Sequence, residues 1–377
     1  MNIISIKRSL TPYYKNLFGW RTNRKIVVIE SDDWGSIRMP SKHVYEKCVE
    51  AGYRVDQNPF ERYDSLLSED DLELLFDLLT SYKDSKGNYP VITANALVAN
   101  PGFEKIRNSG FKEYHYELIT ETFKNYPNHA RCLEIWKEGL KSGIFYPQSH
   151  GREHLNVSLF MNALQNSDKD ALFGFNYRMP GSIPNGVIGG RNQFVESLNY
   201  NSQEDKNEKI KIIIEGLRLF KKLFGYTSES FIPPNYFWSP DFDKQMADEG
   251  VRFFQGNLKM MEPQFDGKFK FHTNRLGDEN IFGQKYLVRN VIFEPSLSTS
   301  INNQILQNCL YQISVAFRLN KPAVICTHRI NFAGSLDEQN RDRNLKMLND
   351  LLSIIVRKWP EVEFMNSVQL GKVIEGV

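Results

Sequence analysis

The chain has 377 residues, enough for one large α/β barrel or two ordinary domains. It carries 47 Lys plus Arg against 45 Asp plus Glu, a net charge of +2, so neither nucleic acid nor an anionic membrane is expected as its main partner. A hydrophobic content of 41% and a charged content of 24% are those of a soluble globular protein. Residues 1–24 read as an N-terminal extension. Ile3, Ile4, Ile6 and Leu10 are interrupted by Lys7 and Arg8, a poor secretory signal. The pattern suits a short amphipathic helix on the domain surface, with weak peripheral membrane contact as the alternative. No stretch reaches the ~18 apolar residues of a transmembrane helix. Cys48, Cys132, Cys309 and Cys326 are scattered without a pairing motif, so reduced thiols and a cytoplasmic location are expected.

From residue 25 to 377 the pattern reads as one domain. Lys25 to Ile29 is an apolar run rich in Ile and Val, a buried strand, and it ends in Glu30-Ser31-Asp32-Asp33-Trp34. Along an extended chain Asp32 and Asp33 point different ways, so one can hold a metal while the other handles a proton. Leu72, Leu75, Phe76, Leu79 and Tyr82 recur at helical spacing. Tyr89 to Ala96 is a second strand, residues 102–141 are mostly helical, and Gly143 to Gln148 is a third strand. A fourth is expected near Ala171 to Tyr177. Residues 178–206, dense in Gly and Pro, read as a loop and candidate flap. A strong helix ends at Gly225. Strand-like segments follow at Glu229 to Ile232, Val251 to Phe254, Tyr286 to Phe293, Ala323 to Thr327 and Val362 to Met365. The alternation gives an α/β class and a distorted (β/α) barrel of about seven or eight mostly parallel strands, with long loop insertions.

Four strand ends carry chemistry. The third runs into His150-Gly151-Arg152-Glu153-His154. If a helix starts at His150, both imidazoles share a face, and with Asp33 they make a three-ligand site with open positions. His328 follows the strand at Ala323 to Thr327, placed to protonate a leaving group. Phe231-Ile232-Pro233-Pro234-Asn235-Tyr236-Phe237-Trp238 offers a pocket wall with Asn235 as a hydrogen-bond donor.

The order Asp-Asp, His-x-x-x-His, Pro-Pro-Asn-Tyr, lone His resembles the polysaccharide deacetylase family, carbohydrate esterase family four, across roughly residues 25–370. The resemblance implies a zinc or other divalent metal held by Asp33, His150 and His154. It implies Asp32 as general base and His328 as general acid. The implied reaction removes an acetyl group, most simply N-acetyl, from a sugar or polysaccharide precursor. Trp34, Tyr236 and Trp238 are candidate sugar-stacking surfaces, and Arg329 a further substrate contact. The sequence departs from the family pattern in several places. Glu30-Ser31 precedes the Asp pair in place of Thr-Phe, and Gly151 follows the first metal His. Phe231 stands where the third motif has its base-orienting arginine, Pro234 has no N–H to offer an oxyanion, and no fourth motif is visible. Arg38, Arg289 and Arg329 are the candidates to replace the arginine. Two other readings stand beside this one. One is a glycoside hydrolase using Asp32 and Glu294. The other is a carbohydrate-binding protein that has lost turnover.

Overall fold

The computed structural model describes residues 3–180, 192–298 and 302–377. The central run Lys25–Trp34 forms β1. Its β-branched residues are buried on both faces, as the middle strand of a parallel sheet requires. The other strands of the same sheet are β2 (Ile92–Ala96), β3 (Phe145–Ser149), β4 (Ser230–Phe231), β5 (Phe253–Gly256), β6 (Lys285–Val288), β7 (Val291–Ile292), β8 (Ala323–His328) and β9 (Val362–Met365). Their order is β6-β5-β4-β3-β2-β1-β8-β7, with β9 also paired to β1, and every pairing is parallel. The two ends of this order are one stretch of chain. Arg289 and Asn290 alone separate β6 from β7; the Arg289 N–H donates to Gly256 O on β5 at 2.9 Å and the Asn290 N–H to Val324 O on β8 at 3.2 Å. Residues 285–293 therefore form the seam that closes a curled, distorted barrel.

Side-chain parity then sorts the strands into inside and outside. On β1, Val27 and Ile29 join the outer core with the helices, including Leu75, Ile313 and Leu348. Ile26 and Val28 join Phe253, Leu287 and Val324 in a smaller interior cluster. The last helix, Ser367–Glu375, plugs that end of the barrel with Val368 and Leu370. It comes so close that a Cβ on Gly371 would stand 2.5 Å from the Phe253 ring. Above this apolar layer the interior turns polar: Glu30, Gln148, Ser230, Gln255 and Arg289 are all buried. The same parity continued upward reaches Asp32, His150 and His328.

The helices follow their caps. Glu69–Thr80 begins with a Ser68/Asp71 capping box, and Gln203–Phe224 runs from a Ser202 cap to Gly225 at φ +81°. The N-terminal helix, Ile3–Asn16, lies on the domain: buried Asn16 accepts from Asn290 Nδ2 at 2.6 Å, and Tyr13 Oη accepts from Arg318. No described helix is long and apolar enough to cross a membrane.

Two expected elements differ. The segment Ala171 to Tyr177 is part of a helix, Lys169–Asn176, because the Asp168 side chain caps the Ala171 N–H and Ala171, Gly174 and Phe175 face inward at helical spacing. The run Tyr286 to Phe293 is broken at the seam rather than continuous. Of the expected flap, residues 181–191 lie outside the described residues; Met179 is buried against Cys48, and the part after 191 includes a turn at Gln193–Val195.

Candidate metal centre and proton-transfer groups

Asp32 and Asp33 do not diverge as strand alternation requires. Asp33 sits at φ +73° and Gly35 at φ +86°, and the pairing of β1 with β2 shifts register between Ser31 and Trp34. This bulge turns Asp33 toward the same end of the barrel as Asp32. His150 and His154 do not begin a helix. They lie on the loop between β3 and the helix Val157–Gln165, with Gly151 at φ +112°. The loop nonetheless aims both Nε2 atoms at Asp33 Oδ1, each at 3.4 Å. All three residues are buried, and their ligand atoms lie within 4.8 Å of one another.

The donor chemistry of this triad fits a cation. His150 Nδ1 is 2.8 Å from Ile232 O, a group that can only accept, so Nδ1 carries a proton and Nε2 is the ring nitrogen turned toward Asp33. Burial pushes His154 down to about 3, against the pull of Asp33, so it is neutral at ordinary pH. Its Nδ1 is buried without a hydrogen-bond partner. Burial would raise the Asp33 carboxyl, but the positive charges around it, His328 and Arg38 among them, outweigh it and hold the group well below the usual carboxylate range. Two ring nitrogens and one carboxylate oxygen, all facing one point, form a donor set that a cation could join. Two nitrogens and an oxygen are a donor set that suits zinc.

Asp32 is held differently. Arg289 donates to both of its oxygens, Nη1 to Oδ2 and Nη2 to Oδ1, each at 2.6 Å, and Asn95 Nδ2 donates to Oδ1 at 2.7 Å. Arg289 also donates through Nε to Glu30 Oε2 at 2.6 Å, and Ser367 satisfies the other Glu30 oxygen. Burial would raise Asp32, but the guanidinium lowers it well below the ordinary range. Glu30, with one bond to the same arginine, stays above its ordinary value because burial prevails there. Among the three candidate arginines, Arg289 is the one that grips Asp32. It comes from the barrel seam rather than from the Phe231 position.

His328 is paired with β1 in register, opposite Asp32. Its Nδ1 lies 2.6 Å from Glu294 Oε1 and its Nε2 3.7 Å from Asp32 Oδ2. Burial pulls its pKa down, but Glu294 and the two aspartates push it well above the ordinary imidazole value. The ring is an imidazolium at neutral pH. Asn331 Nδ2 donates to the other Glu294 oxygen at 2.8 Å and fixes the pair.

Three candidate substrate contacts are corrected. Trp34 is 0% exposed, edge-on to Trp136 and Phe145 in the outer core, and has no free face for a sugar. Trp238 is packed among Phe231, Phe242 and Phe254 with its indole N–H given to Asp243. Arg329 is buried and committed to Asp64, with Nε 2.9 Å from Oδ1. Asn235, at φ +54°, is exposed, and half-buried Tyr236 accepts from Arg289 Nη1 at 3.2 Å. Arg38 lies over the Phe60 ring, 3.7 Å from Asp33 and from Asp64. Glu30, Asn95 and the pairing of Glu294 with His328 escaped the sequence reading. Strand parity counted from Asp32 would have found Glu30, and from Ala94 and Ala96 it would have found Asn95.

No protein-family model matches the chain, and no curated protein sequence matches it. Solved structures similar to it include Puue allantoinase, at 9% identity over 95% of this chain and 93% of that one, with a TM-score of 0.48. Peptidoglycan deacetylase PdaC from Bacillus subtilis is similar at 10% identity over 94% of this chain and 93% of that one, TM-score 0.39. So is the Xyl-CE4 domain of a multidomain xylanase from the hindgut metagenome of Trinervitermes trinervoides, at 10% identity over 94% and 92%, TM-score 0.40. What the residues of this chain do rests on their own geometry.

Proposed function

We propose that the chain is a metal-dependent hydrolase that removes an acetyl group, most simply N-acetyl, from a sugar or polysaccharide precursor. The observation that carries this reading is the pair of imidazoles whose Nε2 atoms face one oxygen of Asp33. Asp33, His150 and His154 would hold the ion, zinc by donor type, which when bound supplies Lewis acidity to the acyl oxygen and the attacking water. Asp32 is ionised at any working pH and would take a proton from that water. So strongly paired a carboxylate is a weak base, and it needs a water made more acidic than bulk. His328, already protonated and anchored by Glu294, would hand its Nε2 proton to the departing amine or alkoxide. Asn235 and Tyr236 stand at the mouth as substrate contacts. Four free cysteines suit a reducing, cytoplasmic setting.

The competing readings lose support. Glu294, needed as the second carboxylate of a glycoside hydrolase, is occupied by His328 and Asn331. The missing motif arginine and the missing fourth motif supported an inactive binding protein, and Arg289 takes the arginine's place at Asp32. Acetate release from a panel of acetylated sugars is expected from zinc-loaded protein and should vanish with a chelator or in Asp33→Ala. Release that survives both would overturn the proposal.

A further inference from the structure

The thiol of Cys326 has no part in the proposed reaction. It lies two residues before His328 on β8, so both side chains leave the strand on one face. Ile292 of β7 pairs with Cys326, and the Phe293 N–H donates to Cys326 O at 2.9 Å, which brings Glu294 alongside the same end of β8. The strand register thus gathers a carboxylate, a thiol and an imidazole on one patch. Glu294 Oε1 lies 2.6 Å from His328 Nδ1 and 3.9 Å from Cys326 Sγ, and the three donor atoms are all within 4.8 Å of one another.

These separations suit a metal ion. Bonds of about 2.0–2.3 Å to oxygen, nitrogen and sulfur at tetrahedral angles set the donor atoms roughly 3.3–3.8 Å apart. Glu294 and Cys326 already stand near that spacing, and Glu294 and His328 would part by about 1 Å, within reach of side-chain rotation. The three residues are distinct from Asp33, His150 and His154. All three are half-buried, which leaves an ion a way in and a coordination position open to water. Arg289 Nη1 stands 3.4 Å from the Cys326 sulfur, and its charge is already matched by Asp32. Burial pushes the thiol up, against the pull of Arg289, so Cys326 keeps its proton until an ion displaces it. A thiolate beside an imidazole and a carboxylate selects zinc or cadmium over magnesium or calcium. The other three cysteines, Cys48, Cys132 and Cys309, are fully buried.

We propose that Glu294, Cys326 and His328 form a second cation site that takes a thiophilic divalent ion, zinc or cadmium. The site stands on its own donor geometry; its effect on turnover rests on the deacetylase reading. Binding releases two protons to solvent, one from the thiol and one from Nδ1 of the His328 imidazolium. The ring keeps its Nε2 proton, but the N–H of a metal-bound imidazole is a far weaker acid than an imidazolium. His328 can then no longer hand a proton to the leaving group. The second ion is therefore inhibitory: the reaction runs with one ion per chain and stops with two.

The test separates binding from turnover. Full-length protein is stripped of metal with EDTA and titrated with cadmium. Thiolate-to-cadmium charge transfer is followed in the ultraviolet, and equilibrium dialysis counts the ions bound. Wild type should bind two ions and show the band, Cys326→Ser one ion without it, and Asp33→Ala one ion with it. Cys326→Ala, a second variant, should behave as Cys326→Ser, and melting temperatures verify that each is folded. No band in wild type, a band that survives in both Cys326 variants, or a band lost in folded Asp33→Ala overturns the site. Acetate release is then measured in excess zinc, each protein against its own rate at one equivalent. Wild type should fall about a hundredfold or more, the share of a general acid, and Cys326→Ser should hold its rate; an equal fall in both would refute the inhibitory role. A band with wild-type release undiminished by excess zinc would leave the site standing and remove His328 as the acid. A band with no acetate release at any zinc level would sink the deacetylase reading and leave the site standing.

Discussion

Replacing Arg289 with Met tests the central charge arrangement without assuming any substrate. The guanidinium is 1% exposed and makes two hydrogen bonds to Asp32 and one to Glu30, each 2.6 Å long. Methionine fills much of the volume but leaves two buried carboxylates without their cation. Removing one partner of a buried ion pair costs about 3–5 kcal/mol, a large part of the 5–15 kcal/mol that holds a typical domain together. The sign with pH follows from Asp32. Its folded pKa is depressed, so its pairing stabilises the wild type fully above the unfolded carboxylate value of about 3.9 and is lost as pH falls through the lower folded value. In the variant both carboxyls are pushed up by burial, so the penalty is greatest near pH 7 and shrinks toward pH 4, where they take up protons. Denaturant unfolding of both proteins at pH 7 and pH 4 measures this. A variant as stable as wild type at pH 7 would refute the reasoning. So would an equal loss at both pH values, because that would make the defect one of packing and not of charge.

Two further outcomes are expected. In Glu294→Gln the group that holds His328 protonated is gone, so the alkaline limb of kcat/KM for acetate release should move to lower pH; a limb that stays put would remove His328 as the acid. Trp34→Ala should cost about 3–5 kcal/mol of stability through loss of core packing, with KM unchanged at temperatures where the variant is folded, and a raised KM would return Trp34 to the sugar-binding surface.

Much of the barrel was legible because β1 and β8 open with continuous apolar runs, Ile26 to Ile29 and Ala323 to Cys326, whose composition and length leave little choice. The strand ends bearing Asp32, His150 and His328 were legible for the same reason, since the chemistry follows directly after each run. Trp34 was misread because an aromatic next to an acid pair looks exposed on paper. The shift in register after Ser31 instead turns it outward into the helix layer. The His-x-x-x-His spacing would share a face only on a helix, and Gly151 at φ +112° shows how a loop reaches the same convergence. Arg289 could not be chosen over Arg38 and Arg329 from sequence. Arg289 and Arg329 each follow a strand and Arg38 follows the Asp pair closely, and what separates them is which carboxylate each meets after the sheet has curled.

The parts of this site that depart from a regular barrel are the parts that assemble it. In a straight β1, parity would send Asp32 inward with Glu30 and Asp33 outward with Ile29, and the two acids could not serve one pocket. The left-handed residue at Asp33 breaks that rule. A conformation of this kind costs of order 1–3 kcal/mol in a residue other than glycine, least for Asp and Asn. Its result is that the carboxylate facing His150 and His154 and the carboxylate facing His328 stand side by side on consecutive residues. The seam does the corresponding work on the other side. Residues 285–288 pair with β5 and residues 291–292 with β8. The break at Arg289 and Asn290 lets one backbone reach both β5 and β8, and it delivers the arginine into the interior level with Glu30 and Asp32. An arginine supplied from the seam relieves the strand at Phe231 of that duty. Phe231 is then free to pack in the core with Trp238 and Phe254, where it is found.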